Sequence, residues 1–209
     1  MKVIDCEQNT PEWHAARLGR VTGSNMHRII TPTGDTSKQA DDYMNRLIAE
    51  IITGERDEWD GNSHTERGKE FEQEAVDYYA MLNECEPYRI GFCHTDDGLV
   101  GCSPDRLIGD DGILEIKTAM GKEFVKLAKS DKLEQEHRPQ TQTALFVLSE
   151  RKWIDTMLYH PRMPKQIIIR STRNASYQQT MTELLAQFRN KMQENIAILR
   201  AKGYFREAA

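Results

Sequence analysis

The sequence predicts a mixed α/β fold: a mixed β-sheet flanked by helices, with a helical flank toward the N-terminus. Three observations predict it. Helical periodicity runs through residues 10–82, strand-like runs cluster in 87–118 and 153–170, and further helical patterns are interposed and close the chain. No internal repeat, low-complexity tract or Pro/Gly/Ser-rich linker divides the 209 residues, so residues 1–209 are expected to form one domain.

Each element has a local reason. In TPEWHAARLG, Thr10 is placed to cap, Pro11 fits the first helical position and Gly19 stops the helix. TGSNMHRII starts a second helical segment, and SKQADDYMNRLIAEIITG and HTERGKEFEQEAVDYYAML carry longer helical patterns. Strands are expected near 87–94, 98–108 and 112–118, then helices near 120–129 and 136–149. KWIDTMLYH and KQIIIR read as strands, and a helix over 174–200 closes the chain.

Bulk properties exclude some roles. No stretch approaches the ~20 apolar residues of a membrane span, and MKVIDCEQNT lacks a signal-peptide apolar run. The expectation is a soluble, cytoplasmic protein without a membrane partner. The four cysteines form no CxxC pair, and Cys85, Cys93, His94 and Cys102 are spaced too irregularly for a zinc signature. A net charge of −5 argues against non-specific coating of nucleic acid, though not against a local basic groove.

The informative stretch is GCSPDRLIGDDGILEIKT (101–118), where charges interrupt strand-forming residues. Charged groups withdrawn from water need compensation. Alternation along ILEIK puts Ile113, Glu115 and Lys117 on one face and Leu114 and Ile116 on the other. A three-residue hairpin loop at Asp110–Asp111–Gly112, with glycine at its left-handed position, would pair Asp105 with Lys117. All three polar side chains would then share one face. Two carboxylates and a lysine there outline a hydrolytic site for a hard cation such as magnesium or manganese. An Asp–Lys–Glu surface network fits the spacing equally well.

SPD followed by EIK resembles the signature of the PD-(D/E)xK nuclease superfamily, at Pro104, Asp105, Glu115, Ile116 and Lys117. EWHAARLGRVTGS (12–24), ERGKEFE (66–72), CSPD (102–105), QTQ (140–142) and YHPRM (159–163) follow in the order found in the phage lambda exonuclease family of YqaJ-like viral recombinases, or alkaline exonucleases. The resemblance spans most of the chain. It implies a PD-(D/E)xK core and an exonuclease that degrades one strand of linear double-stranded DNA from the 5′ end, leaving a 3′ overhang. It also implies a homotrimeric ring, a phage-type single-strand annealing protein as partner, and two Mg²⁺ ions per active site, with Mn²⁺ as substitute.

By resemblance, Asp105 and Glu115 are metal ligands with the Ile116 carbonyl, and Lys117 is the catalytic lysine. Glu72 is an additional acidic residue near the site, and Gln142 the active-site glutamine. Arg17, Ser24 and Ser103 hold the 5′-terminal phosphate. Some of this has support in the residues themselves. Glu72 falls inside the apolar arc of Phe71, Ala75, Tyr78, Tyr79 and Leu82, where a carboxylate needs a partner; an ordinary salt bridge is its other reading. Gln142 shares a helix face with Leu145 and Phe146, so a core amide bonded to backbone is its alternative. Arg17, one turn after Trp13, suits bidentate phosphate binding, and Ser24 near a helix start adds a hydroxyl.

The chain departs from the lambda enzyme at HTER (64–67), where that enzyme is apolar, which bears on how strands are parted. The six histidines, His14 and His160 among them, form no ligand set and read as structural or solvent-facing. A restriction- or repair-type endonuclease is the rival within the superfamily, although the chain has no obvious recognition appendage. A catalytically silent DNA-end binding module is the rival outside it, disfavoured because Asp105, Glu115 and Lys117 are all present.

Overall fold

The structure is a computed structural model that describes residues 1–56, 63–130 and 133–205; the side chains of residues 63–70 and 133 lie outside the described residues. The chain runs β1 (Lys2–Ile4), α1 (Pro11–Arg17), β2 (Val21–Thr22), a 3₁₀ turn (Gly23–Arg28), α2 (Ala40–Thr53) and α3 (Ser63–Asn83). Four strands follow: β3 (Phe92–His94), β4 (Val100–Cys102), β5 (Arg106–Ile108) and β6 (Gly112–Thr118). The remainder is α4 (Gly121–Ala128), α5 (Leu133–Val147), β7 (Trp153–Tyr159), β8 (Ile167–Thr172) and α6 (Ala175–Ala201).

Helix starts and stops obey local chemistry. The Thr10 hydroxyl accepts the Trp13 N–H at 3.3 Å, and the Asn174 side chain accepts the Tyr177 N–H at 2.9 Å. Gly19 follows α1 at φ +65°, and its N–H is held by the buried Glu50 carboxylate of α2 at 3.0 Å.

Among the described residues the strands form two four-stranded sheets, ordered β1-β3-β4-β2 and β5-β6-β7-β8. In the first, β2 runs parallel to β4, pairing Thr22 with Gly101; in the second, β6 runs parallel to β7. Gly101 is required where the sheet is tightest, since a Cβ there would lie 2.1 Å from the Phe92 ring. Strand β6 is covered on both faces. Ile113 joins the larger core with Val21, Tyr43, Leu145 and Ile154, whereas Leu114 packs with Ala75 and Tyr79 of α3 and with Met157. The alternation expected along ILEIK is the one observed.

Two expectations need correction. Residues 98–108 are not one strand: β4 and β5 belong to different sheets, separated at Ser103–Pro104–Asp105, and Pro104 has no N–H to continue a ladder. The hairpin register also differs. Ile108 pairs with Gly112 and Arg106 with Leu114, so the loop is Gly109–Asp110–Asp111, and Gly109 rather than Gly112 has positive φ (+48°). Gly112 instead lies against the Trp153 ring. Continuing this register sets Asp105 level with Glu115, not Lys117. The shift is by an even number of positions, so Asp105 keeps the same face.

Candidate active site

The site begins where the β5–β6 ladder ends. Beyond the Arg106–Leu114 pair the next outward N–H of β6, that of Ile116, has no strand partner, and the Asp105 carboxylate accepts it at 2.6 Å. Glu115 is buried, and its Oε1 accepts the Lys117 Nζ at 2.8 Å. From α5, Gln140 closes the group: its Oε1 accepts the Lys117 ammonium at 3.0 Å and its Nε2 donates to the Glu115 carboxylate.

These charges perturb each other. Burial, then the neighbouring Glu115 carboxylate, pushes the Asp105 carboxyl well above the usual carboxylate range, despite the Lys117 ammonium and the Ile116 N–H. Burial alone would lower the Lys117 ammonium; Glu115 and Asp105 more than offset it, so Lys117 is held above its ordinary value and protonated at neutral pH. His137, one turn before Gln140 on α5, is lowered by burial and by Lys117. Two desolvated carboxylates thus share one lysine, an arrangement short of positive charge.

A hard divalent cation fits that shortage. Among the described residues no three His, Cys, Asp or Glu side chains converge as a ligand set. Magnesium is held by one or two carboxylates and completes its shell with backbone or water oxygens, which suits this donor set. The cysteines are unpaired thiols outside any such cluster. The His160 ring accepts the Arg162 N–H, and His14 meets Arg56, so both serve local contacts.

Glu72 comes from α3, which packs on the opposite face of β6 from Glu115 and Lys117. It is bonded by the buried Arg106 at 2.8 Å, and Arg89 stands 4.0 Å away. Of the apolar arc expected on this helix, Ala75 and Tyr79 are buried and Leu82 is exposed.

Arg17 and Ser103 are brought together through Trp13. The Arg17 guanidinium stacks 4.0 Å from the Trp13 ring centroid, and the indole N–H donates to the Ser103 Oγ at 2.8 Å. Ser24 and Ser103 each lie two residues beyond the paired Thr22 and Gly101, so they leave neighbouring parallel strands at the same end. Ser24 is exposed, with its hydroxyl 3.4 Å from that of Thr22. Arg17 also lines a cleft with Arg20, Arg46 and Arg56, a local concentration of basic groups in an acidic chain.

Gln142 is the candidate that the structure does not bring to the site. Its Nε2 donates to the Thr172 carbonyl at 2.8 Å and its Oε1 accepts the Asn174 N–H at 2.9 Å, tying the end of β8 to the start of α6. The two glutamines of QTQ are about 200° apart on the helix, so only one can face β6. Three contributors were missed in sequence: Gln140, Arg106 and Trp13. Strand alternation from Leu114 could have marked Arg106 as inward-facing. The side chains of residues 64–67 lie outside the described residues.

The class follows from fold and comparison together. The chain shares the fold of solved exonucleases. It superposes on an alkaline exonuclease (LHK-Exo) from Laribacter hongkongensis with a TM-score of 0.83 at 28% identity, covering 93% of this chain and 98% of that one. The same enzyme in complex with dAMP gives 0.82 at 29% identity, with the same coverage. A phage-related exonuclease from Haemophilus somnus 129PT shares the fold, with a TM-score of 0.69 at 14% identity over 86% of this chain and 96% of that one. Residues 12–152 match the family model of the YqaJ-like viral recombinase domain, and the chain belongs to that family. Its role is that of a deoxyribonuclease in recombination. A search of curated proteins gives no match. Among the described residues no helix is long and apolar enough to cross a membrane.

Proposed function

We propose that the protein is a divalent-metal-dependent 5′-to-3′ exonuclease that degrades one strand of linear double-stranded DNA and leaves a 3′ overhang for single-strand annealing. One observation carries the reading: the Asp105–Glu115–Lys117 group lies two residues along the chain from Ser103, which Trp13 links to the stacked Arg17. A candidate phosphate pocket therefore adjoins a candidate hydrolytic centre.

Asp105 and Glu115, with the Ile116 carbonyl, would hold Mg²⁺ or Mn²⁺. When bound, the ion supplies an acidified water and stabilises charge on the leaving oxygen. Lys117 donates to the attacking water and orients it, and Gln140 holds Lys117 and Glu115 in register. Arg17, Ser24 and Ser103 receive the terminal phosphate, whose second ionisation near pH ~6 gives it about one more negative charge than an internal diester. End recognition is thus by charge and oxygen count. A homotrimeric ring and a phage-type annealing partner are carried by the family resemblance.

The test compares 5′-phosphorylated linear duplex with closed circular DNA, with and without Mg²⁺. The expected result is loss of the 5′-labelled strand from linear DNA only, and only with metal; cleavage of closed circles, or cleavage in chelator, overturns the reading. Arg17→Ala should lose roughly 1.5–3 kcal/mol on the 5′-phosphorylated substrate, one charge-assisted contact, while the 5′-hydroxyl substrate is spared. Equal losses on both would make Arg17 structural.

A further inference from the structure

Arg106 stands between the additional acidic residue and the carboxylate pair, and its guanidinium is 4% exposed. One of its nitrogens, Nη1, donates to both the Glu72 carboxylate at 2.8 Å and the Asp105 backbone carbonyl at 2.5 Å; Nη2 donates to Gln73 at 3.3 Å. The same carboxylate oxygen that meets Arg106 has Arg89 as its second cation.

Three features bear on how many metal ions the site takes. Glu72 approaches from the α3 side, whereas Glu115 and Lys117 face α5. No third acidic, His or Cys side chain among the described residues converges with Asp105 and Glu115. A cation binding Glu72 at this oxygen would have to displace Arg106, and breaking a buried pair leaves an uncompensated charge, a strongly unfavourable outcome.

We propose that Arg106 is a positioning residue that limits the site to a single divalent ion at Asp105 and Glu115. It occupies Glu72 with a fixed positive charge where a second ion would bind. Glu72 then acts through Arg106: the pair ties α3 to the Asp105 backbone and holds that carboxylate at the end of β6. The inference rests on the metal-dependent reading above and replaces the expectation of two ions with one.

The experiment counts bound Mn²⁺ per chain by electron paramagnetic resonance and calorimetry. It uses the full chain, alone and with a linear duplex protected by terminal phosphorothioates. Wild type should bind one Mn²⁺ per chain in both states. Glu72→Gln should still bind one, since Glu72 is not a ligand, whereas Asp105→Asn should weaken binding by more than about tenfold. Arg106→Met, which removes the charge at similar length, should admit a second Mn²⁺ on the freed Glu72. Should that variant fail to fold, the comparison of wild type with Glu72→Gln still decides. Two ions in wild type, or loss of an ion in Glu72→Gln, overturns the Arg106 assignment while metal-dependent cleavage stands. No Mn²⁺ uptake together with no metal-dependent cleavage overturns the nuclease reading, and this inference with it.

Discussion

Exchanging the roles expected of the two glutamines in QTQ gives a sharp test of the site. Gln140 is half-buried and bonds two charged groups, the Lys117 ammonium and the Glu115 carboxylate. Hydrogen bonds to charged groups contribute roughly 1.5–3 kcal/mol each, and access of water to this site puts the total near the middle of that range. If the two bonds keep Lys117 and Glu115 in reacting geometry, losing ~2–3 kcal/mol slows the chemical step roughly 30- to 150-fold. Gln140→Ala should therefore retain its Tm and lose rate. Gln142→Ala removes two neutral bonds to backbone at the β8–α6 junction, each about 1 kcal/mol. In a chain of this size ~2 kcal/mol corresponds to a Tm lower by roughly 4–8 °C, with little change in single-turnover rate. Thermal melts and single-turnover cleavage of a 5′-labelled duplex measure both quantities on both variants. A Gln142→Ala protein of native Tm and crippled rate would refute the placement of Gln140 as the glutamine of the site.

Two further outcomes follow from the same charges. Lys117→Ala should bind duplex DNA nearly as wild type while the chemical step falls by about 10²–10⁴, the range for a positioned acid–base group; near-normal single-turnover cleavage would exclude the role. Asp105→Asn should stabilise the chelator-treated protein at pH 8. The Asp105 carboxyl is raised in the folded state, so its contribution is fully present below the usual carboxylate range and is lost as pH rises through the raised value. The gain in Tm for the variant should shrink as pH falls toward that value. A lower Tm than wild type at pH 8 would contradict the electrostatic account.

The sequence alone was enough wherever a property depends on near neighbours in the chain. Thr10, Pro11 and Gly19 delimit α1 because caps and stops act within one helical turn. Alternation along β6 put Glu115 and Lys117 on one face because the strand period is two, whatever packs against it. The ordered motifs were enough to identify the family that the chain belongs to. Tertiary structure decided what depends on a partner distant in sequence. The hairpin slid by one residue, because the turn that sets the register uses the left-handed Gly109 while Trp153 of β7 covers Gly112. Gln140 rather than Gln142 reached the site, since the rotation of α5 is set by burying Ala144 and Leu145 against the core. Arg106 found Glu72 only when α3 packed across β6, bringing together residues 34 positions apart in sequence. Periodicity fixes which way a side chain points; only the packed fold decides what waits there for its charge.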